Sequence, residues 1–114
     1  MSTPRPSDDA ATRALVELID QVDRSVEELQ RARERAVALL ADRRAGRAWL
    51  ELVTEEARPL VVESISSVLS SLATAGHTWR REEAAALQRE EVSINRIAAL
   101  FGVTRQRISA LLRD

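Results

Sequence analysis

The chain has 114 residues, 45% of them hydrophobic, which suits one compact domain or a small domain with a helical arm. It has no cysteine and one histidine, His77, which excludes disulfides, thiolate metal sites and multi-histidine centres. The net charge is −1, from 17 basic residues, all arginine, against 18 acids.

That small net charge hides an uneven distribution. Met1–His77 holds 10 Arg and 13 acids, a net −3, whereas Ser93–Asp114 has Arg96, Arg105, Arg107 and Arg113 against Asp114 alone, a net +3. Arginine offers a planar fork of donors suited to phosphate and guanine edges. No apolar run approaches the roughly 18 residues that a membrane helix needs. The opening "MSTPRPSDD" lacks the apolar core of a signal peptide. A soluble cytoplasmic protein without membrane contact is the expectation.

Residues 1–9 carry two prolines and two acids and are expected to be a disordered tail. From Ala10 to about Arg44 there is no proline or glycine, and Ala, Leu, Glu and Arg dominate, so one long helix is predicted, roughly 50 Å at 1.5 Å per residue. Leu15, Val22, Leu29 and Ala36 recur at sevens, as do Leu18, Ala32 and Leu39, with Ser25 interrupting. Ile19, Val26 and Leu40 widen the stripe. Such a stripe suits a coiled coil or a core-facing helix. A second copy of the chain can cover it, with Leu15, Leu18, Val22, Leu29 and Leu39 as dimerisation residues. Alternatively, the helix folds back on the next two within one chain.

Gly46 is the predicted end of this helix. "RAWLELVTEEAR" reads as a short helix with Trp49, Leu52 and Val53 inward. Pro59 predicts a break, and "PLVVESISSVLSSLATAG" a further helix, with proline in its first turn, that ends at Gly76. In it Val61, Ile65, Val68 and Leu72 form one face and Ser64, Ser67, Ser71 and Thr74 the opposite one. That serine row is a solvated face, a place for close helix approach or a ligand-facing surface. Thr78 can cap the next helix, from Trp79 to about Arg89, with His77 in the loop before it. No strand-like alternation occurs, so the fold class is all-α: a helical dimerisation region over 10–76 and a C-terminal unit over 77–114.

The C-terminal unit carries the most specific pattern. Ser93 and Thr104 can each cap a short helix, and Val92/Ile97 and Val103/Ile108 stand at hydrophobic-staple spacing around those caps. Gly102 permits a tight turn at positive φ, and Ala98 is small enough for a crossing helix to approach. Ile97, Phe101, Val103, Ile108 and Leu111 supply the apolar face. The stretch "IAALFGVTRQRISALL" resembles the helix-turn-helix of bacterial transcriptional regulators, with residues 78–114 as a three-helix unit. The resemblance implies double-stranded DNA as partner and a nucleoid-associated location. It also implies a recognition helix over about 105–113 whose N-terminal part enters the major groove.

With Ile108, Leu111 and Leu112 inward, Gln106, Ser109, Ala110 and Arg113 point outward, flanked by Arg105 and Arg107. Gln106 can pair with adenine, Arg105 or Arg107 with guanine, and Ser109 with either base type. Thr104, Asn95, Arg96 and Arg113 are phosphate candidates. A single small reader binds weakly, so a homodimer is expected, with its recognition helices about 34 Å apart. A reading from another class is a helical adaptor or anti-factor that binds a regulatory protein through the N-terminal stripe. No acid–nucleophile arrangement surrounds His77, so no enzyme, cofactor or metal is expected.

Overall fold

A computed structural model describes residues 8–113. Five helices and no strand occur among them: α1 (Ala10–Arg44), α2 (Trp49–Glu55), α3 (Val61–Arg89), α4 (Ile94–Phe101) and α5 (Arg105–Arg113). The fold is all-α with a long N-terminal helix, as composition and periodicity require. The described residues divide into two compact units, one of residues 21–72 and one of residues 8–20 with 73–113. Most of the tail expected over 1–9 lies outside the described residues. Asp9 within it has a definite role: its carboxylate accepts from the Thr12 backbone N–H and hydroxyl, both at 2.8 Å, and so caps α1.

In the unit of residues 21–72, α1 stops at Arg44 and the chain turns through Gly46 at φ +103. That positive φ is why a glycine stands there. Arg47 then ties the turn to α2 through Glu51 and Glu55. The loop after α2 is fastened to α1 by Arg35, whose Nη2 donates to the Ala57 carbonyl at 2.7 Å. The exposed N–H groups that start α3 find carboxylates: Val61 N–H donates to Glu56 at 2.8 Å and Leu60 N–H to Glu63 at 2.9 Å. The buried side chains here are Ser25, Ala32, Leu52 and Val68. The Ser25 hydroxyl accepts from the Gln21 amide at 3.0 Å, so the polar interruption of the heptads is satisfied where it is buried.

Several expectations for this unit are corrected. Only Leu52 of α2 turns inward. Trp49, Leu50 and Val53 are exposed, Leu50 at 79%, and Trp49 lies under the Arg43 guanidinium, 5.4 Å from the ring centre. Pro59 precedes α3 rather than sitting in its first turn. On α3, Val68 is buried and Val61 and Leu72 are half-buried, as expected, but Ile65 faces out, and of the serine row Ser64 and Ser67 line a groove with Ala32 of α1 while Ser71 is half-buried. Small serines let α1 and α3 approach where a larger side chain would hold them apart.

The break expected at Gly76 is absent. α3 runs through it without positive φ, and Thr78 caps nothing. The expected boundary at 76/77 therefore falls inside a helix, and His77 sits on α3 rather than in a loop. A glycine inside a helix costs only about 1 kcal/mol, which the surrounding turns of a 29-residue helix outweigh.

Candidate nucleic-acid interface

The C-terminal hairpin is built on four buried side chains: Ala84 of α3, Ile97 and Ala98 of α4, and Ile108 of α5. Leu87, Val92, Ile94, Phe101, Leu111 and Leu112 pack around them. α4 and α5 are eight and nine residues long, too short to persist alone, so this packing holds them.

α3 ends with Glu91 at φ 66, and Val92 N–H donates to the Leu87 carbonyl at 3.0 Å. A residue with a β-carbon there is held against a preference of about 1 kcal/mol. Ser93 then caps α4, its hydroxyl accepting from the Arg96 N–H at 3.2 Å. Gly102 closes α4 in the left-handed region, φ 68 and ψ 34, and Val103 N–H donates back to the Ala98 carbonyl at 3.0 Å. Thr104 caps α5, accepting from the Arg107 N–H at 3.2 Å. Both predicted caps and the turn glycine are in place. Val92 packs on the core beside Ile97, as a staple does. Val103 stays 36% exposed and outside the core cluster, so the second staple is a correction.

Arg105, Gln106, Arg107 and Arg113 of α5 are all exposed, with Ala110 beside them, and Ser109 is half-buried. Asn95 and Arg96 are exposed at the start of α4, and so is Thr104. With its oxygen accepting from Arg107, the Thr104 hydroxyl keeps a proton to donate to a ligand oxygen. From Val92 to Arg113 there is no carboxylate side chain, so nothing on this segment neutralises its arginines. Beside α5 runs a groove of about 690 Å³ whose polar lining is His77, Arg80, Thr104, Gln106 and Arg107. Arg80 of α3 is a residue that sequence reasoning did not single out. Its guanidinium lies 4.1 Å from the Phe101 ring centre and 3.1 Å from Glu83. Its position over Phe101 depends on how α3 packs on α4, which local spacing does not fix.

The five candidate dimerisation residues divide. Leu15, Val22 and Leu29 are exposed, and Leu18 and Leu39 are half-buried within the chain. Among the described residues there is no helix long and apolar enough to cross a membrane, and no group of three or more acidic, His or Cys side chains placed to hold a metal. No protein-family model, curated protein or solved structure matches the chain.

Proposed function

We propose that this chain is a sequence-specific DNA-binding transcriptional regulator that works as a homodimer, with α5 entering the major groove. The supporting observation is the open face of α5: Arg105, Gln106, Arg107 and Arg113 stand exposed on a capped helix fixed from beneath by the buried Ile97 and Ile108. Gln106 and the arginines supply the donors that read adenine and guanine edges, and Ser109 reaches a base edge from its half-buried position. Asn95, Arg96, Thr104 and Arg113 contact phosphates, helped by the amides that start α4 and α5. Arg80 adds a positive charge beside the same helix.

Fluorescence anisotropy with duplex DNA tests the reading. In the homodimer, Arg96 and Arg113 of both copies neutralise four phosphates, which weakens binding roughly a hundredfold between about 50 and 200 mM salt. Arg105→Ala with Gln106→Ala is expected to abolish sequence preference while leaving the melting temperature unchanged. An undiminished affinity in that double variant contradicts the proposal. It would favour a second reading, a helical module that binds a regulatory protein. The exposed Trp49, Leu50 and Val53 on α2 support that reading, since aromatic and aliphatic side chains grouped on one short helix are common at protein contacts.

A further inference from the structure

α1 carries two stripes at heptad spacing. The one turned into the chain has small residues at its buried positions, Ala14, Ser25 and Ala32, with Leu18, Gln21 and Leu39 half-buried. One residue further on, about 100° around the helix, lie Leu15, Ile19, Val22, Val26 and Leu29, then Arg33, Ala36 and Leu40. Every one of these is exposed. The stripe richer in large aliphatics therefore faces away from the chain's own core. α3 repeats the offset over its first turns. Val61, Ser64 and Val68 turn in, and Val62, Ile65 and Leu69, each one residue on, turn out.

The chain reverses through α2, so α3 returns antiparallel to α1. Arg35 bonds Ala57 near the reversal, and farther back Ala32 shares a groove with Ser64 and Ser67. In an antiparallel pair, advancing one residue on each helix rotates both stripes toward the same side. The unit of residues 21–72 thus has one broad apolar face. Val22, Val26, Leu29 and Leu40 come from α1, and Val62, Ile65 and Leu69 from α3, each 37–72% exposed.

We infer that this two-helix face is the contact with a second copy of the chain, α1 packing antiparallel on α1 with Val26 opposite the second copy's Leu29. This rests on the two-copy part of the reading above and names its surface. A stable interface covers about 800 Å² per partner, and contiguous apolar patches beyond a few hundred Å² are rare on monomers. Seven large aliphatics, each 37–72% exposed, stand together on two adjacent helices. The heptad register continues on α1 to Ile19 and Leu15, which is the pattern of knobs that a like helix receives. Arg33 chooses the direction. In a parallel pair it stacks on its own copy, whereas the antiparallel register places it opposite the second copy's Val22, beside Asp23. The same register sets Leu15 against the second copy's Leu40. The two copies of Leu15 then lie 25 residues apart along the pair, about 37 Å at 1.5 Å per residue.

The absence of native cysteine makes the test direct. Leu15→Cys and Leu40→Cys chains, mixed and oxidised, are expected to form disulfide-linked heterodimers, and neither chain alone is expected to link to itself. Self-linking of Leu15→Cys means a parallel pair and overturns the inference, as does a mixture that gives no link. Sedimentation of the full chain provides a second measurement. Leu29→Lys should weaken self-association by about tenfold or more with helix content unchanged, whereas Leu100→Lys, on the exposed side of α4, should leave it intact. A wild-type chain that sediments as a monomer and still binds DNA overturns this inference and the two-copy part of the reading above, and leaves DNA binding standing. A cross-linked dimer that ignores DNA overturns only the DNA reading.

Discussion

Ile97 and Ile108, in the C-terminal hairpin, are 0% and 1% exposed, while Val26 and Leu69, in residues 21–72, are 49% and 60% exposed. These are side chains of similar size and chemistry in one short chain. In the hairpin they close a core of their own and leave the charged surface of α5 outside. In residues 21–72 only Leu52 and Val68 join Ser25 and Ala32 inside, and most of the large aliphatics of α1 and α3 wait on the surface. The comparison teaches that hydrophobic periodicity has two uses here. One stripe builds a fold, and the other prepares a contact.

The largest effect that sharpens this contrast is in the hairpin. Ile108→Ala is expected to cost about 2–5 kcal/mol, measured by urea unfolding followed by circular dichroism. Leu69→Ala, in a background made monomeric by Leu29→Lys, should cost less than about 1 kcal/mol, because the residue already meets solvent. Equal losses would break the distinction between the two regions. Next come the caps. Ser93→Ala and Thr104→Ala should each lose about 1 kcal/mol, and Glu91→Gly should gain about as much by relieving a left-handed residue, all read as shifts in melting temperature.

Smaller still is Gly76→Ala, predicted to stabilise by about 0.5–1 kcal/mol. Its β-carbon would meet nothing within 4 Å and the helix continues through it. A loss of stability would mean that α3 breaks there after all. The smallest effect is at Asp9, whose carboxyl is held below its ordinary value of 3.8, first by the Thr12 backbone N–H and then by the Thr12 hydroxyl. A depressed carboxylate stabilises the fold fully above its unfolded pKa and loses that contribution as pH falls through the lowered folded value. The start of α1 should therefore fray below about pH 4. Asp9→Asn should flatten that dependence in amide hydrogen exchange near Thr12.

Much of this was readable from the residues. The helix over Ala10–Arg44, its stop before Gly46, the caps at Ser93 and Thr104, and the turn at Gly102 follow from local chemistry: breakers, hydroxyls and a position needing positive φ. Which stripe of α1 faces in was not readable that way. Leu18 and Leu39 stand one residue from Ile19 and Leu40, both rows repeat at sevens, and periodicity alone cannot choose between neighbours about 100° apart. The packing of α3 decides it, with Val61, Ser64 and Val68 turned in. Gly76 was misread because a single glycine is a weak signal against a long helix, and Trp49 because a seven-residue helix has too few turns to define a face. In the candidate site, the exposed α5 residues were legible from the inward set Ile108, Leu111 and Leu112. Arg80 was not, since its position over Phe101 comes from the packing of α3 on α4.

Selection of bound sequences from a random duplex pool tests the central claim most directly. The account predicts enrichment of a two-fold symmetric consensus with half-sites about one helical turn apart, lost when Arg105 and Gln106 are both alanine. A pool that emerges without any enriched sequence, from a chain shown to be folded, would contradict it.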